Sequence, residues 1–516
     1  MRALRLCIIA WLLPAGAVLA EGRALYLQHC AACHGETRFG GQGPALLPES
    51  LGRLRRSAAA EVVTAGRAQT QMPGFAATLS PPEIEAVVGY LYTPAETPPR
   101  WRHAEIEASH SVFKAAAEPV RQPTHGADPL NLFVVVESGD HHVTILDGDT
   151  FTPLTRFRSH FALHGGPKFS PEGRFVYFAS RDGWISKYDL YGLIPVAEVR
   201  AGINTRNLAL SADGKVVAVA NYLPSTLVLL DADDLSLLKV VEARDMHNKT
   251  SSRVSAVYQA APRESFIVAL KDVPEVWEIP YAEKSGKVYG GLVHSHETGK
   301  EEGLAAVGRF PIRRIELSAP LDDFFFDPEY RHLIGSARDG GHAVVVNMNV
   351  GREIATLALP GLPHLGSGIS WMRQGRRVMA TPHLKEAALS VIDIDGWTLV
   401  KRIETLGPGF FLRSHEATPY AWTDVFFGPD RDAIHVIDKE NLEIKATLRP
   451  APGQTAAHVE FTRDGRYALV SIWEQDGAIV VYDAETLQEV KRIPFVKPSG
   501  KYNVYNKIHR SEGTSH

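Results

Sequence analysis

Hydrophobic positions along the chain change their period twice. The first twenty residues hold an apolar run, "LCIIAWLLPAGAVLA", behind Arg2 and Arg5, with small Val18 and Ala20 just before Glu21. A basic start, a short apolar stretch and small residues at −3 and −1 predict a secretory signal over residues 1–20. The run falls short of the ~20 residues that a bilayer span needs, which argues against an uncleaved anchor. Apolar residues then recur at three- and four-residue spacing in "EGRALYLQHCAACH" and "LSPPEIEAVVGYLY". This spacing predicts two helices, the second with Ser80 as its cap and prolines in its first turn. From about residue 130 the period falls to two, the signature of half-buried strands.

The strand-rich part repeats. A β-rich run ending in an aspartate or its equivalent, then a short turn and another strand, occurs eight times. The equivalent positions are Asp147, Asp189, Asp231, Ile279, Asn347, Asp393, Asp438 and Asp483, spaced 42, 42, 48, 68, 46, 45 and 45 residues apart. A period in the forties with about four short strands per unit predicts a β-propeller, here of eight blades. The one long interval contains "YAEKSGKVYGGLVHSHETGKEEG", read as a loop insertion over 281–303. The fold class is an N-terminal all-α domain followed by an all-β eight-bladed propeller. Its divisions are a signal at 1–20, a small helical domain at 21–97, a polar linker at 98–128 and the propeller at 129–516.

Charge and cysteine usage narrow the chemistry. The net charge of −4 over 516 residues argues against a nucleic-acid partner. Cys7 leaves with the signal, so Cys30 and Cys33 are the mature chain's two thiols. They stand in "CAACH", the Cys-x-x-Cys-His spacing that attaches a c-type haem. Two sulfurs hold the vinyl edges of the porphyrin, and His34 next to them reaches the iron. A redox dithiol or half of a zinc site are the alternatives, and an exported chain with no second cysteine pair speaks against both. Met72, in the Pro-Gly context "TQMPGF" ahead of the last helix, is the candidate sixth ligand. Histidine–methionine ligation suits electron transfer. The small domain is thus a cytochrome c domain with one covalent haem c.

Propellers take ligands over the central channel, where the innermost strands begin. His164, Arg206, His364, Arg413, His415 and His458 lie at such positions, and Arg181 and Lys271 follow an adjacent strand. Histidines at comparable places in different blades converge by the fold itself, and arginines in the same ring would hold carboxylates. These residues suit a large, flat, polyacidic, metal-bearing ligand, a second tetrapyrrole.

On these residues the whole mature chain resembles the cytochrome cd1 family, a cytochrome c domain followed by an eight-bladed propeller that binds haem d1. "PSGKYNVYNKIH" (498–509) is similar to that family's closing strand. "FALHGGPKFSPEGRF" resembles its proximal-ligand segment and "LPHLGSG" its distal-side segment. The resemblance implies His164 and His364 as groups facing the two sides of the d1 iron. It also implies Arg181, Arg206, Tyr222, Lys271 and Arg413 around the macrocycle.

One departure matters. The family's nitrite reductases bring two distal histidines to the substrate, yet "APLDDFFFDPEY" (319–330) has Asp322 and Asp323 where the first is expected, and no histidine. That combination resembles the family's biosynthetic branch, which oxidises a propionate of dihydro-haem d1 to the acrylate. The resemblance implies a periplasmic oxidoreductase using haem c and dihydro-haem d1 or haem d1. Electrons would leave d1 through haem c, opposite to their direction in the reductase. His458, in a blade where the reductase is not expected to have one, is the candidate base. Implied partners are cytochrome cd1 nitrite reductase as acceptor of the finished d1 and a soluble periplasmic electron acceptor. A nitrite reductase with an altered pocket, or a d1 carrier without catalysis, are the alternatives.

Overall fold

The repeat that marks the sequence is a turn with one physical cause. In the computed structural model, Asp147, Asp189, Asp231, Asn347, Asp393, Asp438 and Asp483 each close the third strand of a blade. Each side-chain oxygen accepts the backbone N–H two residues further on. Such a turn suits Asp and Asn, whose short polar side chains imitate a backbone acceptor. Four residues after each anchor the chain takes positive φ, at Phe151, Leu193, Leu235, Gly351, Trp397, Leu442 and Leu487. Ile279 is the exception, and its turn opens the insertion at 281–303, of which 283–303 lie outside the described residues. The structure describes residues 15–41, 43–51, 54–66, 72–113, 120–282 and 308–509. Most of the expected signal segment, residues 1–14, is likewise outside them.

Eight sheets form the propeller. Seven begin at their inner strand: Lys168–Phe169, Asn204–Leu210, Val254–Ala260, Leu321–Phe326, Ile369–Arg373, Leu412–Ser414 and Ala456–Phe461. The remaining blade takes its inner strand from the C-terminus. Pro498–Asn503 pairs antiparallel with Leu132–Glu137 and closes the ring. We number the blades from this one, so that the inner strand at 456–461 belongs to the eighth.

Eight apolar clusters hold the ring, one between each pair of neighbours. The cluster of Val134, Ile145, Val176 and Phe178 joins the first and second blades. Leu469, Ile479, Phe133 and Leu146 join the eighth to the first. Sheets are therefore buried on both faces, which explains the near-continuous apolar runs of the middle strands.

The stretch read as a linker is built into the propeller unit. Residues 1–99 and 100–516 form two compact units. Within the second, His103–Ser109 is a helix whose Ile106 is fully buried among second- and third-blade residues. Ser111–Val112 then adds a fifth strand to the second blade. Trp101 Nε1 donates to the Arg200 carbonyl at 2.7 Å, fastening the start of the strap.

The N-terminal unit packs the helix Ala15–His29 against Pro81–Leu91. Gly22 permits the close crossing: a Cβ there would lie 2.2 Å from the Ala86 carbonyl oxygen. Ser80 starts the second helix, its N–H and hydroxyl both donating to Glu83 at 2.7 Å. Arg38 is buried and closes that helix's other end, its guanidinium donating to the carbonyls of Tyr90, Leu91, Thr93 and Pro94. Among the described residues no helix is long and apolar enough to cross a membrane.

Candidate functional site

In the N-terminal unit the attachment motif spans a helix break. Cys30 ends the first helix and Ala31–His34 forms a short second one. The His34 ring is buried, and its Nδ1 donates to the Pro44 carbonyl at 2.8 Å. That bond leaves the Nε2 lone pair for a metal and fixes the ring's orientation. Burial lowers the pKa of His34, so the imidazole stays neutral and ligand-competent. Gly43 is required beside it, since a Cβ there would lie 2.7 Å from the ring. Burial and the neighbouring Cys33 push the Cys30 thiol up to about 11. Met72 packs at the edge of the unit's core, on the loop between the helices Arg56–Ala65 and Pro81–Leu91. Gly66, at φ +74°, lets that loop close on itself, where a Cβ would meet the Met72 carbonyl at 2.7 Å. Two thiols, an oriented neutral imidazole and a thioether on one small core fit a covalent haem.

In the propeller, His164 and His364 precede the inner strands of the second and sixth blades, four blades apart in the ring. Both repeat the anchoring seen at His34. His164 Nδ1 contacts the Arg206 carbonyl at 2.8 Å, and Arg181 donates to its Nε2 at 2.8 Å. These two bonds assign the proton to Nδ1 and the lone pair to Nε2; the Arg206 guanidinium, 3.1 Å from Nδ1, is then a packing neighbour. His364 Nδ1 donates to the Phe410 carbonyl at 2.6 Å. Burial lowers the His364 pKa, opposed by the charge of Asp323. His383 is different: Nδ1 meets the Pro360 carbonyl and Nε2 the Ser390 hydroxyl, so both nitrogens are used by the fold.

A cationic rim joins these histidines. The Tyr222 ring has Arg181, Arg253 and Lys271 at 5.9, 5.6 and 5.5 Å from its centroid. Lys271 pairs with Asp322. Burial opposes ionisation of Asp322, but Lys271, Arg206 and Arg338 outweigh it and hold the carboxyl below its ordinary value. Arg206 Nη2 is 3.8 Å from Asp323 Oδ2 and keeps its proton firmly, since burial is outweighed by Tyr222, Asp323, Tyr258 and Asp322. Tyr258 donates to Asp323 Oδ1 at 2.9 Å. A neutral face beside fixed cations suits a flat macrocycle with several carboxylates.

Two predicted residues lie apart from this rim. Arg413 is buried on the seventh blade's inner strand, its Nη1 donating to the Leu412 carbonyl at 2.8 Å. The charges it feels are those of Glu460, Tyr502 and Asp424, not the Tyr222 cluster. His458 is fully buried at a bulge of the eighth blade's inner strand, with φ +52°. Its ring packs edge-on against Phe411 and Tyr502 at 4.7 and 5.0 Å, and neither nitrogen has a hydrogen-bond partner. Phe411, Phe410 and His364 continue that stack at 4.6 and 4.3 Å. Burial, with Lys501, Arg413 and Lys507, drives the His458 pKa well below its usual value. His415, also flagged by its position, lies against the Gly465 turn and feels the charge of Glu460, as Arg413 does.

Sequence reasoning missed Arg253 and Tyr258 on the rim and Lys501 in the channel. Arg253 directly precedes the fourth blade's inner strand, the position rule that found His164, and a stricter use of that rule identifies it. Tyr258 reads as an ordinary strand aromatic.

Comparison with known proteins accords with these arrangements. Residues 127–298 and 303–507 match the cytochrome D1 heme domain family, and residues 17–91 match cytochrome C oxidase, cbb3-type, subunit III. The chain is 56% identical over 497 residues to a dihydro-heme d1 dehydrogenase of Pseudomonas aeruginosa, covering 96% of each. It is 24% identical to a nitrite reductase of Stutzerimonas stutzeri, over 94% of this chain and 92% of that one. The structure of dihydro-heme d1 dehydrogenase NirN in complex with DHE superposes with a TM-score of 0.88 at 56% identity, over 95% of this chain and all of the other. With its c-type cytochrome unit, its closed eight-bladed ring and this near-full-length identity, the chain belongs to the cytochrome D1 heme domain family.

Proposed function

We propose that this chain is a dihydro-haem d1 dehydrogenase, an oxidoreductase of haem d1 biosynthesis that converts one propionate side chain of its substrate to acrylate. The observation that carries the reading is the 56% identity with the dihydro-heme d1 dehydrogenase across 96% of both chains. Its cofactor is haem c, and its substrate and product are dihydro-haem d1 and haem d1. The signal-like N-terminus supports a periplasmic location.

The bound macrocycle would supply the redox chemistry, and haem c would serve as a one-electron carrier for the two electrons that the new double bond releases. The protein's residues orient it and handle protons. His164 and His364, each anchored through Nδ1 to a backbone carbonyl, would hold the iron of the bound tetrapyrrole through Nε2, with Arg181 giving up its bond to His164. Arg181, Arg206, Lys271 and Arg253 hold carboxylates, with Tyr222 among them, and Arg413 lends positive potential from below. His458, neutral and packed among rings, accepts the proton of the breaking C–H bond. Cys30 and Cys33 tether haem c, and His34 and Met72 ligate it. Asp323, bonded to Tyr258, stands where a nitrite reductase would present a histidine. A carboxylate held by a phenol and an arginine is a poor proton donor to bound nitrite.

The product is handed to cytochrome cd1 nitrite reductase, and the electrons go to a soluble periplasmic acceptor. Incubation of the haem c-loaded protein with dihydro-haem d1 under oxidising conditions tests the reading. The acrylate-bearing chromophore is expected; tight binding with an unchanged side chain would leave a carrier, and nitric oxide from nitrite would restore the reductase.

A further inference from the structure

Several buried side-chain atoms that lack partners belong to residues around the inner strand of the eighth blade, near His458. Both His458 nitrogens, Arg413 Nε, Glu460 Oε2 and Asn506 Oδ1 are enclosed and make no hydrogen bond. All four residues are at most 3% exposed. An enclosed polar atom without a partner costs on the order of 1–3 kcal/mol, so a cluster of them persists when ordered water completes it. A site with several polar partners for each water is the kind that holds one.

The groups run in one direction. Lys501 Nζ donates to the His458 carbonyl and, at 2.9 Å, to Ser471 Oγ. Glu460, two residues along the strand from His458, accepts from Asn506 Nδ2 at 3.2 Å. Asn506 lies on the terminal helix Val504–His509, which ends in exposed His509. The charged and titratable groups that face this file are Arg413, His415 and Asp424 from the seventh blade, Lys501 and Tyr502 from the first, Lys507 from the terminal helix and Lys168 from the second blade.

We propose that this file is a proton exit, with Glu460 as the relay that clears His458 after each C–H cleavage. The inference rests on the dehydrogenase reading above. Forming the acrylate breaks two C–H bonds, one on each side-chain carbon, and releases two protons and two electrons; the electrons go to the soluble acceptor, and His458 takes a proton and must be cleared before it can take the next. The proton passes through water to the Glu460 carboxylate, which Asn506 Nδ2 holds in place, and from there through water to solvent, which restores neutral His458. The positive charge of nearby Arg413 makes a lingering imidazolium unfavourable, so the proton has reason to leave.

The test uses full-length protein carrying haem c, loaded with dihydro-haem d1. Proton release is followed with a pH indicator beside single-turnover absorbance, and redox difference infrared spectra monitor the carboxyl C=O stretch. In E460Q, precursor binding is expected within about twofold of wild type, with turnover reduced about 10–100-fold, a lag between electron loss and proton release, and loss of a carboxyl band. E460D should recover part of the rate, and small diffusible bases should rescue E460Q. Equal rates and an unchanged infrared spectrum in E460Q would overturn the relay while leaving H458A, if inactive, as support for the base. Absence of acrylate product from wild type would instead remove the underlying dehydrogenase reading. If E460Q misfolds, N506L, at the far end of the file, supplies the same comparison: wild-type proton release in N506L argues against the exit, and delayed release argues for it.

Discussion

Asp323 Oδ2 lies 3.9 Å from Nε2 of His364, the two held on the fifth and sixth blades. The same carboxylate takes the Tyr258 hydroxyl and faces Arg206, whose backbone carbonyl holds His164 Nδ1. Asp323 and Arg206 thus connect the surroundings of the two histidines. They define the cradle before any ligand enters.

Removing Asp323 should therefore cost more than one contact. D323A leaves the buried Arg206 guanidinium without its carboxylate, and breaking such a pair costs about 3–5 kcal/mol. Y258F should cost about 1–3 kcal/mol, the loss expected when a buried acceptor goes unsatisfied. Because the residues share one network, the double variant should lose less than the two single losses combined. Urea unfolding of the four proteins measures this. Additive losses would show that Tyr258 and Asp323 act independently.

Arg38 should be the N-terminal unit's most sensitive polar residue. It gathers four carbonyls around one buried guanidinium and sits 4.4 Å over the Tyr90 ring. R38A abandons the C-terminal carbonyls of the Pro81–Leu91 helix and is expected to destabilise the unit by about 3–5 kcal/mol. R38K should recover only part, because an ammonium lacks the planar fork that serves several acceptors at once. Thermal melting followed through haem c absorbance separates the three proteins.

These two sites differ in how far they were legible in the sequence. The propeller was legible because seven of its turns need Asp or Asn, most of them forty-odd residues apart, and a local need repeated seven times leaves a periodic trace. His164 and His364 were legible by family resemblance and by position before inner strands. Arg38 was not, since a lone arginine in "ETRFGG" gives no sign that it reaches residues more than fifty positions away. The strap at 100–112 was hidden for a similar reason. Its prolines and charges read as linker, and two residues of it, Ile106 and Trp101, pack against the propeller's apolar cluster. Arg413 was named by position and by family resemblance; its strand buries it beside Glu460 and Asp424, and its charge still reaches His364. Side-chain depth along an inner strand depends on neighbouring blades, which the local sequence does not encode.

His435 should make the propeller acid-sensitive. It is buried on the seventh blade, its Nδ1 donates to Thr447 Oγ1 at 2.9 Å, and its Nε2 accepts the Leu406 N–H at 3.2 Å. Both bonds require the neutral ring, and burial, helped by Arg449, lowers its pKa to about 4. The folded value lies below the unfolded one of about 6.5. The stabilisation is therefore fully present above pH ~6.5 and is lost as pH falls through ~4, by about 3 kcal/mol in all. H435Q keeps a donor and an acceptor without titrating. Between pH 7 and 4.5, wild type should lose about 2–3 kcal/mol more stability than H435Q, measured by denaturant unfolding. Parallel losses would assign the acid sensitivity to other groups.

His458 decides whether the channel does chemistry or only packs. A structural histidine in this ring, like His383, has both nitrogens bonded to the protein; His458 has neither. Its packing between Phe411 and Tyr502 nevertheless fixes the ring, so its nitrogens are held ready rather than loose. H458A should bind dihydro-haem d1 within about threefold of wild type, because the carboxylate-holding cations are on other blades. Its turnover should fall about 10²–10⁴-fold, the range for loss of a general acid–base group. The pH profile gives a second reading. Burial and three nearby cations lower the His458 pKa, so the neutral base persists below the usual histidine midpoint. The acid limb of wild-type turnover is then displaced below pH ~6.5, and that limb should vanish from the residual activity of H458A. An H458A enzyme with wild-type rate and profile would move the base to another group and return His458 to the core.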